Sequence, residues 1–531
     1  MTEYDRFENL PVIPLGHTGT KTFFYFARST RQVVSLSPNS HTEKNLLGMA
    51  DTTEWVNYYR RPSTINWNEV AESLMAHCRE AGMYDPSRVR GLGAWRDGAD
   101  IIFHAGSKLY LNGEEISFEE YTDTSYQYLA EQPITAPSAT AATPADVQSF
   151  TSVLETWNWE YPNLAPKLVL GWIGCGLVCG ALSWRPHLWI TGSKGTGKST
   201  LDTLVANVLG KLCLSVQGST TEPGLRQALN GNAIPVLFDE FEGSSRDASR
   251  VIGAARAAAS DNAAKIIKGT PEGRPITYRL RFTAMFSGII ANVQNDADRS
   301  RIVFLEMLPQ KHDVTSRRRM LEAFERYQEN FGATLLRRML DALTDGSFEA
   351  TLSACQTEIR LCGGDERKAD VFAHLLAAYY VMSHDTEITE AEAKQLVKLL
   401  DAFDDEGQSD EEECWAHLLG SLVTVDRGDT KSIGEWIVCV DRGDAQRTTV
   451  KAIIEELARH GVALDKRVVK VSNTAPGIQA VYARTKWAQG GHARVLKRLP
   501  GAEAGGNARF TGHQSKTTAI PLKVITHPED E

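Results

Sequence analysis

The chain has 531 residues, which is enough for several domains and at least one large hydrophobic core. Hydrophobic residues make up 42% of it and charged residues 23%, a composition that is ordinary for a soluble globular protein. The formal net charge is −10, which excludes general attraction to nucleic acid, so any such contact requires local basic patches.

The cysteines and the N-terminus bear on location. The eight cysteines include no CxxC pair and no zinc-finger spacing, which predicts buried free thiols in a reducing cytosol and thus a cytoplasmic protein. The acidic start, MTEYDRFENL, lacks the apolar core of a signal peptide. Residues 168–184 are uncharged and mimic a membrane span, but we expect a buried helix there and no membrane contact.

The first part of the chain predicts a mixed α/β domain, residues 1–130. Short strands with glycine turns are expected near its start, followed by an amphipathic helix, WNEVAESLMAHCREAG. Further on, Asp97-Gly98 and Asn112-Gly113 are turn pairs that predict consecutive hairpins. Residues 131–146 are rich in Pro, Ala and Thr and are predicted to be a linker.

Three further regions are expected after this linker. Residues 147–310 predict an α/β core, and residues 311–425 predict a largely helical region interrupted by an acidic, solvated loop at 404–413. Residues 426–531 form the last domain, where helix, turn and strand follow one another in an order that suggests a winged-helix-like module.

The stretch GSKGTGKS, residues 192–199, matches the phosphate-loop pattern G-x-x-x-x-G-K-[ST] between a strand, HLWIT, and a helix. The glycines let backbone amides surround phosphate groups, Lys198 neutralises the β and γ oxygens, and Ser199 holds Mg²⁺. We therefore expect ATP and Mg²⁺ as ligands. The predicted nucleotide-binding residues are Gly192, Ser193, Lys194, Gly195, Thr196, Gly197, Lys198, Ser199 and Thr200.

The second element of such a site is an apolar strand that ends in a carboxylate. The run AIPVLFDEFEG, residues 233–243, supplies this pattern. Asp239 is predicted to hold the Mg²⁺ shell, and Glu240 to orient and polarise the attacking water. The alternative is a buried strand that ends in two exposed acids. The adjacent second acid favours hydrolysis over passive nucleotide binding.

A third strand, residues 282–290, ends near two polar residues that can sense the γ-phosphate. Ser287 and Asn292 both qualify, and the sequence does not decide between them. Farther along, Arg299 and Arg301 flank a serine just before a new strand. An arginine there is predicted to reach the γ-phosphate held by a neighbouring subunit, the alternative being a surface salt bridge.

This order of phosphate loop, Asp-Glu strand, sensor strand and arginine pair resembles the AAA+ class of ring ATPases, which implies a ring with active sites between subunits. Between the acid strand and the sensor strand, residues 265–282 predict a hairpin with five basic residues and one acid. A hairpin inserted there resembles that of superfamily 3 helicases, which grips the nucleic-acid backbone in the ring channel. By that resemblance Lys268 and Arg274 are the candidate DNA-binding residues; a solvated hairpin is the alternative.

A second basic region lies near the C-terminus. Residues 461–527 contain eleven Lys or Arg and two acids, several of them beside Trp487. Such local charge is the footprint of a protein that binds a phosphate backbone. The alternative is a basic surface that meets the acidic loop of a neighbouring copy.

The chain resembles phage- and prophage-encoded superfamily 3-like helicases, the helicase part of phage primase–helicase proteins. The resemblance rests on PVIPLGHTGTKTFFYFARSTRQVVSL with RVRGLGAWRDGADIIFHAG, on the ATPase motifs, and on RLPGAEAGGNARFTGHQSKTTAIPL. It implies a replicative helicase of a mobile element. The sensor departs from the family, whose strand ends directly in Ser/Thr-Asn. No primase centre is recognisable, so a separate primase is expected.

The leading hypothesis is an ATP-driven, ring-forming helicase, a homo-hexamer or similar ring on single-stranded or forked DNA. A second hypothesis is an AAA+ ATPase that loads or remodels a partner protein, such as a helicase loader. A third is a nucleotide-gated DNA-binding protein or defence sensor. The hairpin separates the first two hypotheses, and the second acid, Glu240, argues against the third.

Overall fold

A computed structural model describes residues 10–19, 22–59, 65–118, 121, 126–229, 231–242, 246–260, 266–268, 276–278, 280–289, 291, 293, 296–309, 314–403, 410–425, 429–443, 447–465, 467–483, 485 and 487–522. The chain forms two compact units, residues 1–404 and 405–531. The division falls in the acidic run that the sequence placed inside the helical region, and not after residue 425. Trp415, Leu418 and Val423 belong to the core of the second unit, which explains the earlier boundary.

Unit 1 begins with an antiparallel sheet of order β1-β2-β3 that packs against a helix. Its elements are β1 Val12–Thr18, β2 Thr22–Ala27, β3 Gln32–Leu36, α1 Glu43–Leu47, α2 Thr52–Tyr59 and α3 Trp67–Ala81, with 3₁₀ turns at Pro38–Ser40 and Pro86–Arg88. The side chain of Asn66 caps α3 by accepting a hydrogen bond from the Asn68 amide. Val70, Leu74 and Cys78 then point from α3 into the core, as the amphipathic pattern predicts.

A second small sheet has the antiparallel order β5-β6-β7-β8, beside a parallel pair of β4 and β9. Its elements are β4 Val89–Arg90, β5 Gly93–Asp97, β6 Asp100–His104, β7 Leu109–Leu111, β8 Glu114–Ile116 and β9 Gln127–Tyr128. Asn112 and Gly113 have φ of 50° and 87°, the left-handed pair that a two-residue hairpin turn of type I′ requires. The predicted hairpins are confirmed.

The segment predicted as a linker is packed through its backbone. The amide of Ile134 donates to the Ala105 carbonyl, and the amide of Ser138 donates to the Ala333 carbonyl, each at 3.1 Å. The segment therefore connects the second small sheet to the helical region within unit 1. Composition rich in Pro, Ala and Thr does not reveal such contacts, because they use main-chain groups that every residue carries.

The uncharged run forms the buried helix that we expected. It is α5 Ala165–Leu177, which follows α4 Pro144–Leu154 and precedes a 3₁₀ turn at Cys179–Ala181. A Cβ on Gly171 would lie 2.1 Å from the Leu375 carbonyl oxygen, so glycine permits close contact with another helix. Among the described residues, no helix is long and apolar enough to cross a membrane.

The centre of unit 1 is a parallel sheet of order β11-β12-β15-β10-β16. Its strands are β10 His187–Thr191, β11 Leu214–Gln217, β12 Val236–Asp239, β15 Ala284–Ser287 and β16 Ile302–Glu306. The accompanying helices are α6 Lys198–Leu209, α7 Glu222–Leu229, α8 Arg246–Ala258 and α9 Asp296–Arg299, with a 3₁₀ turn at Gly210–Leu212. A separate antiparallel hairpin consists of β13 Ile266–Lys268 and β14 Ile276–Tyr278. The fold class is thus mixed α/β.

Helices complete unit 1. They are α10 Val314–Arg326, α11 Glu329–Thr344, α12 Ser347–Leu361, α13 Glu366–Ser383 and α14 Glu390–Lys398, followed by a 3₁₀ turn at Leu399–Ala402. Leu335, Leu336 and Met339 of α11 are buried in the same core as α5 and α6. The second small sheet, the parallel sheet and these helices therefore share one hydrophobic core.

Unit 2 has its own core and an antiparallel sheet of order β19-β20-β22-β21. Its elements are α15 Asp410–Gly420, β17 Leu422–Val425, β18 Asp429–Ser432, α16 Ile433–Arg442, α17 Arg447–Arg459, β19 Val462–Asp465, β20 Val468–Ser472, α18 Pro476–Val481, α19 Gly491–Val495, a 3₁₀ turn at Leu496–Arg498, β21 Glu503–Phe510 and β22 His513–Pro521. The predicted helix and strand are α17 and β20, with β19 between them, and β21 and β22 extend the sheet. The winged-helix-like assignment stays a prediction.

Candidate nucleotide site

Three sequence motifs meet at the carboxyl edge of the parallel sheet. The phosphate loop follows β10, Asp239 is the last residue of β12, and Ser287 is the last residue of β15. Because β15 lies between β10 and β12, Ser287 stands between the phosphate loop and the acid. In open parallel sheets, ligands bind at this edge, where the loops after the strands converge.

The phosphate loop has the backbone that its glycines make possible. Gly192, Gly195 and Gly197 have φ of 148°, 87° and 97°, which residues with a Cβ rarely adopt. A Cβ on Gly192 would lie 2.4 Å from the Met307 carbonyl oxygen, so the loop also needs glycine where it passes β16. Gly197 immediately precedes α6, and the amides of the first turn of that helix therefore face the loop.

Trp157 holds this loop from the side. Its indole nitrogen donates a hydrogen bond of 3.0 Å to the carbonyl of Gly197, and the side chain is 2% exposed. Within the loop, the Thr196 hydroxyl donates to the Ser193 carbonyl at 3.0 Å. Trp157 was not among the predicted site residues; the tryptophan-rich run ETWNWEY, near the start of the predicted core, was the available signal.

The side chain of Lys198 lies against its own loop. Its ammonium donates to the carbonyls of Gly192 at 2.6 Å and Ser193 at 3.1 Å. Partial burial lowers the pKa of Lys198, and the negative charge of Asp202 opposes this shift. A partly buried ammonium held by neutral carbonyls suits an anionic ligand, so the loop fits the phosphate groups of a nucleotide.

The remaining residues of the motif are more open to solvent. Ser193, Lys194, Gly195 and Ser199 are exposed, and Thr200 is half-buried. Ser199 is the second residue of α6, beside Lys198. Its hydroxyl is therefore available on the surface that the loop presents.

Strand β12 changes abruptly from buried to exposed at the acid pair. Val236, Leu237 and Phe238 are buried, whereas Asp239 and Glu240 are exposed. Glu240 has φ of 53°, a left-handed conformation that is uncommon for a residue with a side chain and that concentrates at functional sites.

Two glycines hold the acid pair in this conformation. The amide of Gly218 donates to the Asp239 carbonyl at 2.8 Å, and a Cβ on Gly218 would lie 2.2 Å from the Glu240 carbonyl oxygen. On the other side, a Cβ on Gly288 would lie 2.4 Å from the Phe241 carbonyl oxygen. The backbone of Glu240 is thus enclosed between the ends of β11 and β15.

Phe241 anchors the chain directly after the acids. Its amide donates to the Ser287 carbonyl at 2.7 Å, and its ring is buried against Trp189 and Phe286. The position of Glu240 is therefore fixed by hydrophobic packing beneath it as well as by hydrogen bonds.

Of the two sensor candidates, Ser287 lies beside the acids, and Asn292 lies outside the described residues. The Ser287 hydroxyl donates to Asp202 at 2.5 Å and lies 3.4 Å from a carboxylate oxygen of Asp239. Burial raises the pKa of Asp202 to about 7; contact with Asp239 adds to the increase, and Ser287 and Lys198 oppose it. The sequence analysis missed Asp202, although it is a charge one turn after Lys198 on a helix with a buried face.

The arginine pair lies at the opposite, amino edge of the sheet. Arg299 ends α9 and is exposed over the Phe304 ring at 5.6 Å, while Arg301 directly precedes β16, half-buried, 5.9 Å from the Trp184 ring. Strand β10 has five residues. At about 3.3 Å per residue the two edges are about 16 Å apart. Arg301 starts from the far edge, whereas the Arg299 guanidinium over Phe304 lies beside the middle of β16.

Other charged groups surround Arg301. Arg256 forms an ion pair with Asp298 at 2.9 Å, and Arg367 donates to the Ser300 hydroxyl at 2.8 Å. Partial burial lowers the pKa of Arg301, and the positive charges of Arg367 and Arg256 add to this shift. Among the described residues, the guanidinium groups of Arg367 and Arg256 and the carboxylate of Asp298 thus act on Arg301.

The predicted basic hairpin has paired strands. Lys268 is the last residue of β13 and pairs with Ile276 of β14; Arg274 lies outside the described residues. Arg281 was counted with the hairpin charges, but its side chain contacts residues of unit 1. Its guanidinium donates to the Gly180 carbonyl at 3.1 Å and lies 5.5 Å from the Trp95 ring centroid.

The basic segment of unit 2 also differs from its sequence interpretation in one respect. Trp487 is 8% exposed and packs against Tyr482 and His417, so its ring belongs to the core. Sequence alone cannot separate a buried tryptophan from one exposed to stack on bases. The exposed basic residues of unit 2 include Arg494, Lys497, Arg498, Arg509 and Lys516.

No family model matches the chain, and no curated protein matches its sequence. Among solved structures, the chain is similar to "SCCmec type IV Cch - active helicase", with a TM-score of 0.53 and 13% identity over 97% of this chain and 94% of that one. It also aligns with "The A form apo structure of NrS-1 C terminal region-CTR", with a TM-score of 0.36 and 12% identity over 98% of both chains. The first likeness shows a shared fold with a protein described as a helicase; the second is too weak to add to this.

Proposed function

We propose that this chain is an ATPase that drives movement along DNA, a ring-forming helicase. The observation that carries the proposal is the convergence of Lys198, Asp239 and Ser287 at one edge of a parallel sheet, with the Ser287 strand between the other two. A loop that suits phosphate, an exposed acid pair and a polar strand end are the parts that phosphoanhydride hydrolysis requires.

In this proposal, each residue at the carboxyl edge has its own role in ATP hydrolysis. ATP bound with Mg²⁺ supplies the phosphoanhydride bond and a divalent charge on its phosphates. Lys198 and the amides of the loop bind the phosphate oxygens, while Ser199 and Asp239 hold the metal. Glu240 orients the attacking water and accepts its proton, a task for which the enclosed backbone preorganises the carboxylate.

Arg299 and Arg301 complete a neighbouring site in this proposal. Both residues precede β16, at the other edge of the sheet from the end of β10 where the phosphate loop begins. An arginine finger supplied by a second subunit neutralises charge that develops in the transition state. This requires a ring, a homo-hexamer or a similar assembly, with a site at each subunit contact.

DNA is the proposed track. Lys268 and Arg274 at the hairpin bind the backbone of single-stranded or forked DNA, and the exposed basic residues of unit 2 add a second contact. The shared fold with a protein described as an active helicase supports this assignment. The resemblance to phage and prophage superfamily 3-like helicases suggests replication of a mobile element, with a separate primase.

Steady-state ATP hydrolysis with and without single-stranded DNA tests the proposal. Wild type is compared with Lys198→Ala and with Lys268→Ala/Arg274→Ala. We expect stimulation by DNA that requires both the phosphate loop and the hairpin, and strand displacement on a forked substrate by wild type alone.

Two results would contradict the helicase proposal. Hydrolysis that depends on Lys198 but ignores DNA and the hairpin would indicate an ATPase that loads or remodels a protein. A Glu240→Gln variant that binds ATP without turnover, yet keeps full biological activity, would indicate a nucleotide-gated DNA-binding protein.

A further inference from the structure

Asp202 is a charged residue on the sheet-facing side of α6. It lies four residues after Lys198, so one helical turn separates the two side chains. The neighbouring positions Leu201, Leu204 and Val205 are fully buried. A carboxylate in such surroundings loses hydration and requires compensating partners.

The partners of Asp202 come from the two strands beside the helix. Ser287, at the end of β15, donates its hydroxyl hydrogen to Asp202 at 2.5 Å. The oxygen of the same hydroxyl is 3.4 Å from a carboxylate oxygen of Asp239, at the end of β12. A hydroxyl carries a single hydrogen, and the shorter distance places it on the Asp202 side.

This arrangement ties three elements together at the site. Asp202 moves with the helix that carries Lys198 and Ser199, and Ser287 links it to the strand that carries Asp239. Ser287 is itself bound to the acid strand through its backbone, because its carbonyl accepts from the Phe241 amide at 2.7 Å, two residues after Asp239, and β15 pairs with β12. The link therefore sets the position of the acid relative to the phosphate loop.

We propose that Asp202 is a positioning residue: it orients the hydroxyl of Ser287 and thereby aligns Asp239 with the helix that carries Lys198 and Ser199. The inference rests on the proposed ATP hydrolysis and adds a residue to it. Asp202 acts as a hydrogen-bond acceptor, so asparagine, whose side-chain oxygen accepts in the same place, replaces it in part. Leucine fills the space without accepting.

The test measures kcat, KM for ATP and the Mg²⁺ concentration for half-maximal rate in a set of variants. These are Asp202→Asn, Asp202→Leu, Ser287→Ala and the double variant Asp202→Leu/Ser287→Ala. We expect Asp202→Leu to lower kcat by about 10- to 100-fold, as loss of a residue that orients a metal ligand does. KM for ATP should stay within about threefold, because the phosphate contacts of the loop remain.

Two further outcomes identify the link itself. Asp202→Asn should recover most of the rate that Asp202→Leu loses. The double variant should be no slower than Asp202→Leu alone, because both single changes break the same hydrogen bond. Thr203→Ala is the matched control: its exposed hydroxyl donates to the Ser199 carbonyl on the same helix, and kcat should stay near wild type.

Equal loss in Asp202→Asn and Asp202→Leu, or additive losses in the double variant, would overturn the proposal. So would a lower kcat that follows a lower melting temperature in every variant, since this is what a purely structural role produces. If Asp202→Leu is misfolded, the other two single variants test the proposal. Asp202→Asn should then keep most of the wild-type kcat, and Ser287→Ala should lower it. Wild type without Lys198-dependent hydrolysis would overturn this proposal and the proposed function together, whereas normal hydrolysis in Asp202→Leu would overturn this proposal only.

Discussion

The two edges of the parallel sheet carry different kinds of chemistry. At the carboxyl edge, the phosphate loop follows β10, and the Ser287 hydroxyl lies 3.4 Å from Asp239 and 2.5 Å from Asp202 of the helix that carries Lys198, all in one chain. At the amino edge, Arg299 and Arg301 lie before β16, about 16 Å away by strand length. One edge brings the candidate site together within a single chain, and in our proposal a second subunit meets the other.

The amino edge is also where the second small sheet attaches. The amide of Ala233 donates to the Leu92 carbonyl at 2.8 Å, just before β12 begins, and Asn232 accepts from the Leu92 amide at 2.8 Å. The base of the hairpin meets the same sheet through Arg281 and Trp95. The proposed site of bond cleavage and the contacts with the second small sheet therefore lie at opposite edges of the parallel sheet.

The largest expected effect on kcat comes from a substitution at the carboxyl edge. Glu240→Gln keeps the backbone and size of the acid but removes its basicity, so kcat should fall by about 100- to 10,000-fold. ATP affinity should change little, because the loop and Lys198 are intact. Lys198→Ala should lose affinity as well. Hydrolysis rates and equilibrium binding of a fluorescent ATP analogue measure the two effects; a Glu240→Gln enzyme with more than a tenth of the wild-type rate contradicts the assigned role.

The next prediction uses the distance between the edges. One of the two arginines acts as the finger, and its replacement by alanine (Arg299→Ala or Arg301→Ala) should lower kcat at least about tenfold. If the arginine serves a neighbouring subunit, as we propose, mixing this variant with Lys198→Ala should restore activity. In mixed rings, an intact phosphate loop in one subunit meets an intact arginine from the other.

Two controls sharpen this mixing experiment. Mixing Lys198→Ala with Glu240→Gln should restore nothing, since both changes disable the carboxyl edge of the subunit that carries them. Arg360→Ala is the neutral arginine control, because Arg360 pairs with Glu366 on the surface. If the arginine variant and Lys198→Ala fail to complement, the two edges do not meet across subunits and the ring proposal is wrong.

The carboxyl edge could be anticipated because its motifs are contiguous. The phosphate loop shows a glycine pattern between a strand and a helix, and Asp239 ends a short apolar run. Asp202 could not be found in this way. Its role depends on β15 lying between β10 and β12, and strand order is a tertiary property that no local spacing encodes.

The errors of sequence interpretation have a common physical origin. Arg281 was counted among the hairpin charges and Trp487 was grouped with the basic C-terminal residues, yet Arg281 contacts Trp95 and Trp487 is buried. Charge and aromaticity state what a side chain can do, whereas tertiary packing decides where it points. Residues 410–413 of the predicted acidic loop instead begin α15, and residues 404–409 lie outside the described residues. Acidic composition alone does not show where one unit ends and the next begins.

A third prediction concerns acid sensitivity at the amino edge. His187, the first residue of β10, lies 2.8 Å from the Ala255 carbonyl through Nε2 and accepts from the Ala284 amide through Nδ1 at 2.9 Å, which requires a neutral ring. Burial lowers the pKa of His187 to about 4 from 6.5, and burial does the same for His374. The folded state favours the neutral rings, so their stability contribution is full above pH 6.5 and declines as the pH falls toward 4.

At pH 5 each ring should lower the free energy of unfolding by about 2 kcal/mol relative to pH 7.5. Denaturant unfolding at the two pH values measures the loss. His187→Gln and His374→Gln should each be less stable at pH 7.5 but show a smaller decrease on acidification. An undiminished decrease in both variants would mean that other groups cause the acid sensitivity.

The smallest expected effects separate two basic residues that the sequence treated alike. Arg281→Leu removes the contact with Trp95 and the hydrogen bond to Gly180, so the free energy of unfolding should fall by about 1–2 kcal/mol. Its affinity for single-stranded DNA should stay within about twofold of wild type, because a guanidinium used internally adds no phosphate contact.

Lys268→Ala should behave in the opposite way. Stability should stay within about 0.5 kcal/mol of wild type, while DNA affinity falls and its salt dependence weakens by about one unit of slope. Binding titrations at several salt concentrations, beside urea unfolding, distinguish the two patterns. If Arg281→Leu weakens the salt dependence as Lys268→Ala does, Arg281 leaves Trp95 to bind DNA. The base of the hairpin would then change its position when DNA binds, and the contact between Arg281 and Trp95 would not be a fixed one.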